Sequence, residues 1–213
     1  MLGVYVTIPV ACFRKGLARE YLETEPLPPP ATCYGFLLSL VGETDRKKHI
    51  GCRVAPVLLN KPPTSVVLRT VWRVKEKAIP QGSGTNARPD YQQLLTDVQL
   101  VIWLDSSGEA GDKLEERVRT ALADPGSVTR FGGLSLGEST HMVDEVCLLE
   151  RVRDRLPKSG RIFLKRDDKK GRLTLPVWVD HVGSAGTRYA TGDLEASPLS
   201  QPDPERMPII SPE

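Results

Sequence analysis

Residues 2–8 read LGVYVTI and residues 30–42 read PATCYGFLLSLVG, and these two segments set the pattern that the rest of the chain continues. In the first, apolar residues alternate with Tyr5 and Thr7, a period of two that predicts a half-buried strand. The second is apolar almost all round and predicts a buried helix over 31–41. Pro30 suits the first helical position, and Gly42 suits the end.

Further strands and one further helix follow from the same kind of pattern. A capping-box-like start at Asp112 predicts the second helix, with a buried stripe of Leu114, Val118, Ala121 and Leu122. Four segments predict the intervening and following strands: Arg53–Leu59, Val66–Lys75, Leu94–Leu104 and Met142–Leu149. The order strand, helix, strands, helix, strand is a split βαβ pattern and predicts an α+β, ferredoxin-like domain.

The chain divides into four regions by composition. Residues 1–150 form the predicted ferredoxin-like domain, from which the polar residues 76–93 project as a long loop or hairpin arm. Residues 151–191 form a small β appendage, because 161–165 and 173–179 predict a hairpin. Residues 192–213 hold five prolines and five acids, which predicts a flexible acidic tail.

The formal net charge is only +2, but the charges are segregated. Residues 45–77 hold nine Lys or Arg against two acids, and 151–172 hold ten against three. Such clusters set the local field that a polyanion meets, although a solvated, uneven surface gives the same count. The cysteines form no CxxC pair and the histidines no HxxxH, so no metal site is expected. With no signal peptide or spanning segment, we expect a cytoplasmic protein without membrane contact or cofactor.

One face of the predicted strand 66–75 carries a row of cations. Period two places Arg69, Arg73 and Lys75 on one side and an apolar row on the other. Single-stranded RNA is held by charged grooves with aromatic platforms, and the stacking candidates are Tyr34, Tyr91 or Trp72. A solvent-exposed sheet face that binds no ligand is the simpler alternative. Trp72 belongs to the apolar row, on the side of the strand opposite to the cations.

The loop 130–141 combines glycines, hydroxyls and cations. Glycines let backbone N–H groups approach phosphate oxygens, so this loop is a candidate anion site, although a turn that needs positive φ explains it equally. Residues 133–137 also match the G-x-S-x-G elbow of serine hydrolases, with Ser135 as nucleophile. The elbow requires a strand–turn–helix context, which the sequence lacks. It also requires an acid well before a downstream histidine, whereas only His141 and His181 follow Ser135 and Asp180 is adjacent to His181.

Several segments together resemble the Cas-five family of the RAMP superfamily of CRISPR-associated proteins. They are Val4–Phe13, Arg19–Tyr21 continuing into the PPATCYGFLLSLVGE segment at 29–43, and Arg130–His141. Val67–Lys75 and Asp180–Thr187 resemble the DevS-like subgroup in particular. The resemblance spans about residues 1–190.

The resemblance implies an RRM-like ferredoxin fold with a protruding thumb at 76–93, and a non-catalytic subunit of a type I Cascade complex. Such a subunit caps the 5′ handle of the CRISPR RNA. It lies between a Cas-seven-like backbone subunit and a large Cas-eight-like subunit, with target DNA near the PAM as a further partner. The implied RNA-binding residues are Arg14, Lys15, Tyr34, Arg69, Arg73, Lys75, Arg88, Arg130, Gly133, Ser135, Ser139 and His141.

One branch of the family processes precursor RNA with a tyrosine, a lysine and a histidine. Tyr34 and His141 are conceivable counterparts, but no lysine aligns, so we expect no enzyme. A metal-independent endoribonuclease is the alternative, a serine hydrolase is a second, and a protein-interaction module whose basic segments meet acidic partners is a third.

Overall fold

The computed structural model describes residues 1–16, 21–72, 75–166, 170–182 and 184–213. These residues form a mixed α/β protein with one large sheet and two α-helices. Its elements in chain order are β1 (Leu2–Ala11), β2 (Tyr21–Leu22), α1 (Pro30–Leu40), β3 (Arg53–Leu58), β4 (Thr64–Trp72), β5 (Ala87–Asp105), α2 (Leu114–Ala123), β6 (Glu145–Leu148), β7 (Ser159–Lys165), β8 (Leu173–Trp178) and β9 (Arg188–Pro198).

The sheet runs β6-β1-β5-β3-β7-β9-β8, and its neighbours along this path are antiparallel. The 19-residue β5 organises it. The second half of β5 lies between β1 and β3, whereas its first half pairs with β4 and, in parallel, with β2. We call β4 together with residues 87–95 of β5 the β4–β5 hairpin. Because these strands extend past the central ladder, the hairpin carries side chains on two faces.

Both faces of the central sheet are covered. Alternate residues of β1, β3 and β5, among them Val4, Val54 and Ile102, pack with α1 and α2. The intervening residues, among them Tyr5, Val57 and Trp103, pack instead with residues that come late in the chain. Period-two alternation therefore produces two cores, one on each side of the sheet. No helix among the described residues combines the length and the apolar character needed to cross a bilayer.

Both predicted helices are present. The first spans Pro30–Leu40, and the second buries the predicted stripe. The predicted capping box at Asp112 is wrong, because α2 begins at Leu114, whose N–H donates to the carboxylate of Glu109 at 3.1 Å. The Glu115 side chain instead accepts from the backbone N–H of Ser106 at 2.8 Å. The loop before the helix thus does the capping that the helix's own side chains were expected to do.

The predicted hairpin of 161–165 with 173–179 is wrong. The strand β9 lies between β7 and β8 and pairs with each of them. The strand β7 also pairs with β3, so residues 151–191 continue the main sheet rather than forming an appendage. Ile162, Phe163 and Leu164 are all buried, as in a strand covered on both faces.

The predicted flexible tail at 192–213 also differs from the structure. Residues 192–198 belong to β9, and Met207 and Ile210 are completely buried. The backbone N–H of Ile210 donates to the carbonyl of Cys52, and that of Gly51 donates to the carbonyl of Ile210, both at 2.9 Å. Proline and acid content predicted disorder, but a few apolar side chains are enough to attach this segment to the sheet.

Candidate nucleic-acid interface

A closed set of hydrogen bonds joins the β4–β5 hairpin to the glycine-rich loop. Arg69 Nη1 donates to Glu138 Oε2 at 2.9 Å and to Gln92 Oε1 at 2.5 Å. Gln92 Nε2 in turn donates to Glu138 Oε1 at 2.9 Å, so each of the three side chains contacts the other two. We call this set the Arg69–Gln92–Glu138 clasp. It brings together two segments, 66–75 and 130–141, that the sequence offered as separate candidate sites.

His141 attaches the same loop to the end of β1. Its Nδ1 accepts from the backbone N–H groups of Cys12 and Glu138, both at 3.1 Å. An imidazole nitrogen that accepts carries no proton, so the ring proton lies on Nε2. Burial lowers the pKa of His141, which keeps the ring neutral near pH 7. The side chain is therefore a positioning group for the loop and not an exposed cation.

Gly137 is required by the same contact. Its φ is +109°, and a Cβ at this position would lie 2.9 Å from the carbonyl oxygen of Cys12. Only glycine takes up that backbone conformation at low cost. The sequence left open whether the loop's glycines are a positive-φ turn or an anion site, and at Gly137 the turn explanation is sufficient.

The part of the loop 130–141 that contacts neither His141 nor the clasp faces solvent. Gly133 and Ser139 are exposed, Arg130 and Ser135 are half-buried, and Phe131 is fully exposed. Within the described part of the chain, Arg130 makes no ion pair, which leaves its charge available to an anion.

Ser135 is not placed as a hydrolase nucleophile. It forms an isolated bridge with Met142 and precedes strand β6, whereas the elbow of a hydrolase leads into a helix. His141 cannot act as its base, because Nδ1 already accepts two N–H groups and Nε2 holds the proton. The surroundings of Ser135 and His141 therefore give no support to the hydrolase alternative.

The end of β1 adds two more predicted cations beside the loop. Arg14 is exposed and forms a backbone bridge with Thr24. Lys15 Nζ lies 3.7 Å from Glu23 Oε1, and both side chains are more than 40% exposed. The residue before them, Phe13, donates its N–H to Thr24 Oγ1 at 2.9 Å. The segment 12–15 thus runs beside the clasp and His141.

The remaining predicted cations lie along the hairpin. Arg88 Nε lies 3.0 Å from Asp90 Oδ1, whose side chain is buried. Lys75 is exposed, and its backbone N–H donates at 2.7 Å to Asn86, which closes the connection between β4 and β5. Arg73 lies outside the described residues. The face that the sequence presented as purely cationic also carries the carboxylates of Asp90 and Glu138, so much of its charge is compensated.

Tyr34 is not an exposed stacking surface. It is 4% exposed, and its hydroxyl donates to the carbonyl of Arg46 at 2.8 Å. Burial raises the pKa of this phenol well above its usual value. Its prediction as an RNA contact is wrong, because the all-round apolar helix α1 turns Tyr34 toward the core. The side chain of Trp72 lies outside the described residues.

Among the described residues, the exposed aromatic side chains are Tyr91, a sequence candidate, and Tyr21, Phe131 and Tyr189, which sequence reasoning did not propose. It also missed Gln92 and Glu138, the two partners of Arg69. No local signal marks these residues. Their roles follow from the parallel β2–β5 pairing and from the approach of the loop to the hairpin. Elsewhere in the described ranges, no group of three His, Cys, Asp or Glu is arranged as a metal site.

Known proteins are similar to this chain both in sequence and in fold. The chain is 54% identical over 212 residues to the CRISPR-associated protein Cas5 of Myxococcus xanthus (strain DK1622), covering 99% of this chain and 97% of that protein. Its fold is similar to a chain of a CRISPR RNA-guided surveillance complex, with a TM-score of 0.60 at 15% identity over 92% of this chain and 89% of that one. It is also similar to a structure described as a Cas protein, with a TM-score of 0.52 at 16% identity over 100% and 99%. No family model matches.

Proposed function

The chain belongs to the Cas5 family of CRISPR-associated proteins, and from that premise we propose that it binds the 5′ handle of a CRISPR RNA as a non-catalytic subunit of a type I Cascade complex. The observation that carries the proposal is the convergence of three segments at one place. The clasp joins Arg69 to the loop 130–141, and His141 joins that loop to the end of β1 beside Arg14. Cations, hydroxyls and glycines from distant parts of the chain thus line one region.

Charge compensation in this region is compatible with RNA binding. Exposed ion pairs contribute only about 0–1 kcal/mol, so a phosphate is able to replace a carboxylate beside Lys15 or Arg69 at little cost. Arg, Ser and backbone N–H groups are the usual contacts to phosphate and sugar. The exposed Arg14, Ser139 and Gly133 and the half-buried Arg130 and Ser135 offer these groups in the segments that the clasp and His141 join. Lys75 adds an exposed charge at the connection between β4 and β5.

Under this proposal the β4–β5 hairpin is the thumb of a ferredoxin-like, RRM-like domain, with residues 76–86 at its tip. The Cas-seven-like and Cas-eight-like subunits, and target DNA near the PAM, are proposed partners, and the cytoplasm is the proposed location. The proteins of similar fold include a chain of a CRISPR RNA-guided surveillance complex, which supports assembly with other subunits.

Two observations favour a binding role over endoribonuclease activity. The hydroxyl of Tyr34 is buried and donates to a backbone carbonyl, so it is not presented to solvent as a catalytic group. Nδ1 of His141 accepts two backbone N–H groups and Nε2 holds the ring proton, so the neutral ring has no free nitrogen to act as a general base. An acid–base pair must be within hydrogen-bond reach of the reacting groups. Incubation of a labelled repeat transcript with the protein in EDTA should give no discrete cut, and a cut that His141→Ala abolishes would establish the endoribonuclease alternative.

The binding proposal is tested with a labelled single-stranded RNA derived from the CRISPR repeat, titrated at several salt concentrations. Arg69→Ala should weaken binding and reduce the log–log salt slope by about 0.7, the value for one lost phosphate contact on a single strand. Arg119→Ala is the matched control, because Arg119 is similarly exposed and pairs with Glu150. If the wild-type protein does not bind this RNA, or if both variants bind it alike, the proposal is wrong.

A further inference from the structure

Three exposed apolar side chains form a row across the strands of the hairpin region. Tyr21 of β2 is in register with Tyr91 of β5, and Tyr91 is in register with Leu68 of β4. Residues in register project from the same face of a sheet, about 5 Å apart. Their exposures are 38% for Tyr21, 57% for Tyr91 and 63% for Leu68. We call this row the tyrosine platform.

The platform lies on the face of the hairpin opposite to the clasp. Arg69 and Gln92 belong to the other face, because neighbouring residues along a strand alternate. Val66 and Leu68 belong to the apolar row that the sequence places on this face of β4, yet Val66 is 52% exposed and Leu68 still more. The central sheet and the two helices therefore leave these side chains uncovered. Adjacent exposed apolar side chains form a contiguous patch, and such patches mark interaction sites more often than single exposed residues do.

We propose that the tyrosine platform stacks an unpaired base of the bound RNA, an inference that rests on the proposed function. Single-stranded RNA is recognised on sheets by aromatic side chains of adjacent strands, which present flat, uncharged surfaces to the bases. Tyr21 and Tyr91 have this arrangement, and Leu68 extends the apolar surface by one strand. Such stacking tolerates any base, because every base has a π-face.

The size of the platform favours a base over a protein. A tyrosine presents roughly 200 Å² in all, so the exposed parts of the three side chains together amount to roughly 300 Å². A stable protein interface buries about 800 Å² on each partner. Val66 extends the exposed apolar surface by one residue along β4, but the total still falls far short of that area. A row about 10 Å long across the strands suits a planar ring better than a protein surface.

Lys15 is the cation that would hold the phosphate of a nucleotide stacked on the platform. Lys15 pairs with Glu23, two residues after Tyr21, at a distance of 3.7 Å. Because both side chains are largely exposed, their mutual attraction is weak and the ammonium group is able to turn to a phosphate. An apolar ring surface with a lysine at its edge is a common arrangement at single-stranded RNA sites.

The test measures affinity and salt slope for the repeat-derived RNA with the full chain. Tyr91→Ala should weaken binding about 5- to 100-fold without changing the salt slope, because stacking releases no counterions. Tyr91→Phe should bind like the wild type, because the ring is retained. Ile209→Ala is the control, since Ile209 is 39% exposed, like Tyr21, but pairs with Arg53 at the far end of β5, opposite Asp105. An equal loss in Ile209→Ala would refute a specific platform.

The remaining outcomes separate this inference from the proposed function. If the wild-type protein binds the RNA and Tyr91→Ala binds it equally well, the platform is not a base site, although RNA binding stands. If Tyr91→Ala keeps its RNA affinity but no longer assembles with neighbouring subunits, the row is a protein contact and the inference is wrong. If the wild-type protein binds no RNA, the proposed function fails together with it.

Discussion

Replacing Glu138 by glutamine tests whether the carboxylate of Glu138 competes with an RNA phosphate for Arg69. Glu138→Gln keeps the shape of the side chain but removes the charge that faces Arg69 at 2.9 Å. The pair is 44% exposed on Arg69 and 27% on Glu138, so its contribution to stability is at most about 1 kcal/mol. We therefore expect the folded state to persist with only a small loss in the free energy of unfolding.

RNA binding should respond in the opposite direction. Once the carboxylate no longer competes for Arg69, its guanidinium is available to a phosphate, and affinity should rise about two- to fivefold, equivalent to about 0.5–1 kcal/mol. The log–log salt slope should become steeper by about 0.7, because one additional phosphate contact forms on a single strand.

The assay is a titration of the repeat-derived RNA at four or more salt concentrations, monitored by fluorescence anisotropy. Glu145→Gln is the matched control, since it also removes one exposed negative charge that is paired with an arginine, Arg155. If Glu138→Gln and Glu145→Gln have the same affinity and slope, Arg69 does not bind phosphate. A loss of affinity in Glu138→Gln would show instead that the clasp acts by positioning the loop.

Three further predictions concern stability. Gly137→Ala should destabilise the fold by about 1–3 kcal/mol in a denaturant titration, because its positive φ and the Cys12 carbonyl 2.9 Å away leave no room for a Cβ. Met207→Ala should cost about 2–5 kcal/mol of global stability, because Met207 is completely buried. The Arg117 guanidinium holds the pKa of Glu43 at about 2 against an ordinary 4.5. Glu43 should therefore add up to about 3 kcal/mol that is complete above pH 4.5 and lost as the pH falls toward 2.

Each of these predictions has a control and a contradicting result. Gly111→Ala, where nothing lies within 4 Å of the new Cβ, should leave stability nearly unchanged, and an equal cost at both glycines would remove the steric argument. Met142→Ala, at an exposed methionine, is the control for Met207→Ala. For Glu43→Gln, an acid unfolding curve that matches the wild type between pH 5 and pH 2 would contradict the assigned pKa.

Elements whose pattern is local followed from the sequence. The alternation at residues 2–8 lies within β1, and the apolar segment after Pro30 is α1, with its end within one residue of the prediction. The stripe of α2 is buried as expected. These features follow from side-chain period and from proline and glycine geometry, which act over a few residues and require no knowledge of a distant partner.

Pairings between distant segments were decided only by the tertiary structure. The segments of β7 and β8 have the local pattern of a hairpin, but β9 lies between them and pairs with both. Strand pairing depends on which edges meet when the whole sheet assembles, and a local pattern does not contain that information. Tyr34 is not the exposed stacking residue that the sequence predicted, because the packing of α1, and not the residue type, determines how far its side chain is exposed. Arg69, Gln92 and Glu138 come from three segments, and their contact exists only once the loop and the hairpin meet. The sequence determined which groups are present, and the fold determined which of them face one another, since burial and pairing depend on contacts across the whole chain.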